Sequence, residues 1–469
     1  MKILNAYKSL SLPVKATFWF TICNFILKAI SFITVPLFAR YLSTEEYGIV
    51  SVYNSYQQIF MIFATLELSM GAYQRGIIKF KEQICLFTQS IQMLWSFITA
   101  VLFIVVFTFR GIFIHLTDTN ITILTLMFVY FLVQPAYECW VNRKRFSYDY
   151  KSVVFFTIVF TLFVTLIPLG CIIFIDQKAI LRIASTLIVQ IIFCLPFYLK
   201  NINFKRASKN KDLIKGHIKF ALSFQLPLLF HSLSYFILAQ SDRIMIGAMV
   251  GKSEAAIYSV AYSLSNVVII FQTSINQVLK PWRYQMMEKR EYGLISNITN
   301  ILLLFFGIFL LLFILIAPEV MKLLFNESYY EAVWTIPPIT LSVYFMFLYS
   351  IFTDIESYFY KTKYIMYGSV VCAVINIILN YFGIIYFGYI SCGYATLISY
   401  VIFAIMHYVF MSKSCDESGI NTHIFNKKII IFLSISYIVL TLIFVIIYQI
   451  ILIRYLIVFV IIILCIFNR

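Results

Sequence analysis

Charged residues are scarce in this 469-residue chain: Asp, Glu, Lys and Arg together make up 12% of it, where soluble domains carry about a quarter. With 62% hydrophobic residues, that shortage excludes a soluble globular protein. Paired cysteines are missing as well. The nine cysteines are scattered singly, most of them in apolar runs such as those holding Cys23, Cys171, Cys194 and Cys372. No CxxC pair occurs, so neither a metal site nor a disulfide frame is expected. The five histidines, His115, His217, His231, His407 and His423, are equally dispersed. No GxxxxGK[ST] phosphate loop is present; the nearest approach, Gly247 to Ser253, is one residue short, which excludes ATP hydrolysis by that machinery. HExxH, GxSxG and glycosidase-like paired carboxylates are absent too. No external connection is long enough to fold as a domain, and a membrane-bound polymerase or acyltransferase would need one for its chemistry.

What the chain has instead is long apolar stretches, about fourteen of them, each long enough to cross a hydrocarbon core of about 30 Å as a helix. They run approximately over 16–38, 47–67, 86–109, 120–140, 152–175, 179–199, 218–240, 256–279, 296–318, 333–353, 363–386, 389–411, 428–448 and 450–467. Every second connection is rich in positive charge, and about three quarters of the Lys and Arg fall in those connections and the two termini, which puts both ends in the cytoplasm. This reads as an all-α polytopic membrane protein. The net charge of +16 therefore points to orienting loops that face anionic lipid head groups, with no nucleic acid as partner. Lys2, Lys8 and Lys15 precede the first stretch without a cleavage site, so that stretch is expected to stay as an uncleaved start-transfer helix.

The longest hydrophilic segment carries Lys200, Lys205, Arg206, Lys209, Lys211, Lys215 and Lys219 against Asp212. It is expected to be a basic cytoplasmic linker, 200–219, between an N-terminal six-helix bundle, 1–199, and a C-terminal one, 220–411, with an extra helix pair over 412–469. A repeat supports this division. Glu46-Tyr47-Gly48-Ile49-Val50-Ser51-Val52-Tyr53-Asn54-Ser55 is matched 208 residues further on by Glu254-Ala255-Ala256-Ile257-Tyr258-Ser259-Val260-Ala261-Tyr262-Ser263. Each block opens the second stretch of its half. Six spans is an even number, so the repeats run in the same direction, related by an axis along the membrane normal.

Polar groups inside apolar helices are costly and usually face a bundle interior or a wet cavity. Thr21, Asn24, Lys28 and Ser31 share one face of the first stretch, with Lys28 near its middle. The plain alternative for Lys28 is a structural pair with an acid on a neighbouring helix. The second stretch stacks Ser51, Asn54 or Ser55, and Gln58; the eighth stacks Ser259, Tyr262 or Ser263, Asn266 and Thr273. In the seventh, Ser223, Pro227, His231 and Ser234 share a face, and Pro227 is expected to kink the helix. Asn376 and Asn380 lie one turn apart in the eleventh. Any single stripe fits interhelical hydrogen bonding; stripes leading both halves point to a wet cleft shared between them. Arg40, Arg75 and the pair Asp242-Arg243 sit near stretch ends, where arginine suits phosphate through two parallel hydrogen bonds or serves as an interfacial anchor. Glu67, Glu138 and Asp354 are the acids nearest the apolar zone, leaving coupling to Na+ or H+ open. No other cofactor is expected.

Pro36-Leu37 followed by Arg40-Tyr41-Leu42-Ser43 and Glu45-Glu46-Tyr47-Gly48 resembles the first-loop pattern of polysaccharide (O-antigen repeat-unit) flippases of the multidrug/oligosaccharidyl-lipid/polysaccharide (MOP) exporter superfamily. Phe224-Gln225-Leu226-Pro227, Asp242-Arg243-Ile244-Met245-Ile246-Gly247 and Ile257 to Tyr262 resemble the start of that family's second half. The resemblance implies two six-helix bundles, MATE-like, plus the extra pair. It also implies transport of an undecaprenyl-pyrophosphate-linked oligosaccharide by alternating access, in company with polysaccharide assembly proteins. Lys28, Asn24, Ser31, Asn54, Gln58, Arg40, Arg75, His231, Asp242, Arg243 and Asn266 are then the candidate lining residues. The sequence departs from the family in carrying Lys28 alone at mid-span, with no arginine there. A drug exporter of the same superfamily would carry cavity acids. A membrane polymerase or acyltransferase would cluster catalytic residues.

Overall fold

The computed structural model describes residues 11–174, 177–203, 209–420 and 424–467, and every regular element among them is helical. Lys205, Arg206 and His423 lie outside the described residues. The chain divides into two compact units, Met1–Phe236 and Ile237–Arg469.

The first unit contains α1 (Leu12–Tyr41), α2 (Thr44–Thr65), α3 (Gly71–Lys79), α4 (Ile84–Thr108), α5 (Arg110–Thr117), α6 (Ile121–Phe146), α7 (Tyr150–Phe174), α8 (Lys178–Asn201) and most of α9 (Lys211–Met249). Ser43 starts α2 with a capping box: its hydroxyl accepts from the Glu46 amide (3.2 Å), and the Glu46 carboxylate accepts from the Ser43 amide (2.9 Å). Part of the first-loop pattern is therefore a helix start. Leu66 and Glu67 adopt left-handed backbone (φ 48° and 50°) and end α2. The chain then returns as α3, whose Ala72 amide, an orphan donor at a helix N-terminus, is satisfied by Gln225 Oε1 at 3.0 Å. Gly76 allows α3 to lie directly on Phe87 of α4, where any Cβ would collide with the ring. α6 packs on α8, α4 and α2, and α1 on α7.

The second unit contains the end of α9 and α10 (Lys252–Glu288), α11 (Tyr292–Leu324), α12 (Ile336–Tyr358), α13 (Thr362–Phe387), α14 (Ser391–Glu417), α15 (Lys427–Ile446) and α16 (Ile451–Phe467). α12 is its most buried span and packs against α14, α10 and α11. α15 and α16 are fastened to α11 by three polar side chains. Tyr437 Oη donates to the carbonyls of Leu303 and Leu304 (3.3 and 3.2 Å) and its ring fills the space beside Gly307. Tyr448, in the turn between the two helices, donates to Ile314 O (2.7 Å). Arg454 forks onto Glu319 (2.7 and 2.8 Å) and reaches Leu315 O. The short 448–450 connection is thus an anchored turn.

Among the described residues, eleven of the fourteen expected spans are helices long and apolar enough to cross a membrane, and the seventh makes twelve if the two parts of α9, bent by 40° between Lys211–Phe230 and Ser232–Met249, form one span. The bend follows Pro227, which removes a backbone donor. The other two expected spans are helical but fall short. α2 carries Glu45, Glu46, Asn54, Gln57 and Gln58, and α16 has 17 residues. The expected linker is also partly helical, since α9 starts at Lys211. Several helices outrun a bilayer: α10, at 37 residues, is about 55 Å long.

Candidate functional site

Thr21, Asn24, Lys28 and Ser31 are all exposed along α1, while Ala16 and Cys23 on its other side are buried. Among the described residues no acid forms an ion pair with Lys28, so the structural-pair alternative is not realised. Thr21 returns its hydroxyl to Thr17 O (2.9 Å). The stripe does not serve helix packing.

The second polar feature of this unit is a pocket of about 180 Å³ bounded by α1, α2, α7 and α8. Its polar walls include Thr34, Tyr53, Asn54, Gln57, Arg182 and Thr186. Arg182, in the second turn of α8, lays its guanidinium 3.7 Å from the centre of the Phe38 ring and 5.2 Å from that of Tyr47. Asn54 is exposed at this pocket; Gln58 is half-buried, and its neighbour Gln57 lines the pocket in its place. Sequence reasoning missed Arg182, because it sits near a helix end where an interfacial anchor is the ordinary reading. Its signal was the polar pair Arg182 and Thr186, one turn apart on α8.

Arg40 is exposed in the last turn of α1, where a cation complements the helix dipole. Arg75 is exposed on α3. The side chain of His231 lies outside the described residues. Glu138 is a different case. Its carboxylate accepts from Ser69 Oγ and Gln134 Nε2, beside the α2–α3 break that Asn142 also holds by donating to Ser69 O (2.8 Å).

In the second unit Asp242 departs from its expected lining role. It is fully buried, and its carboxylate accepts from Tyr258 Oη, Asn380 Nδ2 and Thr396 Oγ1, joining α9 to α10, α13 and α14. Asn376 extends the network to Ser241 and Ser399 (3.1 and 3.4 Å), so the Asn376–Asn380 stripe is buried interhelical fastening. Arg243, one residue on, points elsewhere, to Ala239 O (2.6 Å), Gln240 Oε1 (3.0 Å) and the face of Tyr262 (4.4 Å). Consecutive helical residues do not face each other, which is why the pair does not form. Asn266 is half-buried. Further buried ionisable pairs that the sequence did not single out are Arg283 with Asp354, and His407 with Glu356 (2.8 Å).

Apolar helices long enough to cross a bilayer, arranged in two helical units, define a polytopic membrane protein. Solved structures share the fold. "Lipid II flippase MurJ, inward closed conformation" superposes with a TM-score of 0.67 at 16% identity, over 94% of this chain and 97% of that one. An inward-facing multidrug resistance MATE family transporter of the MOP superfamily gives 0.60 at 11% identity, over 83% and 96%. The polysaccharide biosynthesis protein family matches residues 14–287, more than half of the chain, and the protein belongs to that family. Lsg locus putative protein 1 of Haemophilus influenzae is 23% identical over 272 residues, 56% of this chain and 64% of that relative. The match thus spans less than two thirds of the relative's length.

Proposed function

We propose that this protein is a flippase. It carries an undecaprenyl-pyrophosphate-linked oligosaccharide repeat unit from the cytoplasmic to the external leaflet of a bacterial cytoplasmic membrane, for O-antigen, capsule or another surface polysaccharide, by alternating access. The observation that supports this reading is the exposed stripe on α1. Lys28 at bilayer depth, without an acid partner among the described residues, is costly against lipid and favourable against water or an anionic head group. A stripe with one cation and no acid suits a pyrophosphate-linked glycan and not an organic cation. Membership of a polysaccharide biosynthesis family agrees with this substrate class.

We place coupling to H+ or Na+ at Glu138, whose hydrogen-bond partners are neutral; Asp354 is already compensated by Arg283 and Lys280 (3.2 Å). Deleting the gene should abolish a surface polymer and accumulate single lipid-linked repeat units on the cytoplasmic side. Units accumulating on the outer side would mean a polymerase, and an intact polymer with new sensitivity to cationic drugs would mean an exporter. Lys28→Ala should abolish complementation at normal expression, and Lys28→Arg should keep part of it. Full activity of Lys28→Ala removes the stripe from the site.

A further inference from the structure

We infer that Glu356 of α12 and His407 of α14 form a proton-binding site in the second unit, and that release of its proton lets water in between the two helices. The inference stands apart from the flippase reading, since no glycan enters it or its test, and apart from Glu138, which lies in the first unit. It starts from an incomplete pair. Both side chains are fully buried, and His407 Nδ1 lies 2.8 Å from Glu356 Oε1. Neither Glu356 Oε2 nor His407 Nε2 has a hydrogen-bond partner among the described residues. In the same unit both carboxylate oxygens of Asp242 accept, from Tyr258, Asn380 and Thr396. A pair kept only for packing would be satisfied in that way, because each buried polar atom left unbonded costs stability.

Charge points to a proton as the ligand. The surroundings are dry: the ring centres of Phe403, Phe410 and Tyr349 stand 4.6, 5.9 and 6.0 Å from that of the imidazole, and a Cβ on Gly368 of α13 would come within 2.8 Å of Nε2. In such a place the pair is neutral only while it holds one proton, whichever atom carries it. Without that proton a carboxylate faces a neutral imidazole, and one negative charge is buried with no counter-charge.

The other ionisable groups on the elements around the pair are turned elsewhere. On α12, Asp354 pairs with Arg283 and Lys280 of α10. On α14, Glu417 accepts from Lys361 and Tyr364, Lys413 stands over the Tyr364 ring, and Asp416 is exposed. Lys427 of α15 stands over the Tyr408 ring, Glu319 of α11 pairs with Arg454 of α16, and Lys363 of α13 is exposed. Water is therefore what stabilises the deprotonated pair. It has a short way to come: Glu356 lies two residues before the end of α12, and Tyr360, just past that end, is exposed.

The test uses the full-length protein in lipid nanodiscs. It reads amide hydrogen exchange over 349–358 and 403–411 across about pH 5 to 9, corrected for the intrinsic pH dependence of exchange. The closed form holds one proton more than the open form, so closure weakens as pH rises. Exchange of both segments in the parent protein should accelerate by up to about tenfold per pH unit once the proton leaves. Glu356→Gln keeps the shape and removes the titrating carboxyl, so its profile should stay flat. His407→Gln covers the case in which Glu356→Gln folds poorly: its carboxyl titrates without the imidazole, and the onset of opening should move by about one pH unit or more. A flat parent profile, a Glu356→Gln profile that rises like the parent's, or an unmoved onset in His407→Gln makes the pair a static fastening and overturns the inference. Replacing sodium chloride by choline chloride should leave every profile unchanged; protection that follows Na+ at fixed pH means a metal-ion site and overturns the proton assignment.

Discussion

α2 of the first unit and α10 of the second start 208 residues apart, at Thr44 and Lys252, and open with ten-residue blocks that match at five positions. Some of their shared residues are placed alike in the two helices. Glu46 closes the capping box of α2, and Glu254 folds over Gly251 at the matching position of α10. Ser55 and Ser263 each return the hydroxyl to the carbonyl four residues back, Ser51 O and Ser259 O. One turn on, the helices diverge. Tyr53, Asn54 and Gln57 open into the Arg182 pocket. Their counterparts are Ala261, Tyr262 and Ser265, of which Tyr262 lies under Arg243 and Ser265 is closed off against Thr340 (3.1 Å). What repeats is therefore the serine back-bonding inside the helix; capping differs, since α10 starts at Gly251 without a side-chain cap, and so does the placing of the polar groups. The second unit buries Arg283 with Asp354 in an internal pair, whereas the first leaves Lys28 exposed along α1.

The largest effect that would sharpen this contrast is expected from Arg283→Ala, which leaves Asp354 buried with only the more exposed Lys280 beside it. It should cost about 3–5 kcal/mol in thermal or denaturant unfolding, against less than about 0.5 kcal/mol for exposed Lys28→Ala. Equal costs for the two would break the comparison. Next come the close helix contacts: Gly76→Ala drives a methyl into Phe87 and Gly307→Ala into Tyr437, and each should destabilise by about 1–3 kcal/mol. If Gly307→Ala is silent, α15 is not fastened to α11 as described. Smaller still is the coupling between Asp242→Asn and Arg243→Gln. Because the two side chains bond different partners, the double variant should equal the sum of the singles within about 0.5 kcal/mol. A larger coupling energy in that cycle means that the two side chains do pair.

The smallest effect concerns a connection. Lys144 Nζ, 2.6 Å from Asp149, holds that carboxyl below its usual range, helped by Ser152. A depressed carboxylate contributes stability above its unfolded pKa, and the contribution is lost as pH falls through the folded value. Asp149→Asn should therefore flatten a slight acid-side loss of stability, measured as unfolding temperature against pH. The group is largely solvated, so the change is small. An acid limb identical in Asp149→Asn and the parent protein would take Asp149 out of the acid response.

The sequence alone determined that the chain is helical, that it spans a membrane many times, and which family it joins. Those properties follow from local hydropathy, charge placement and short motifs, all of which act within a few turns of chain. It also put Lys28, Asn24 and Ser31 on one face, because helical periodicity is local. Only the tertiary structure decided whether a polar residue meets a partner or an opening. Asp242 and the Asn376–Asn380 pair looked like cavity residues and are buried fastenings, because their partners Tyr258, Thr396 and Ser399 come from other helices. Arg182 was not singled out from the sequence and lies in a pocket, because Tyr53, Asn54 and Thr34 come to it from α2 and α1. Those pairings join different helices, in the case of Asp242 and Thr396 more than a hundred positions apart, and no pattern along one helix encodes which neighbour it will pack against.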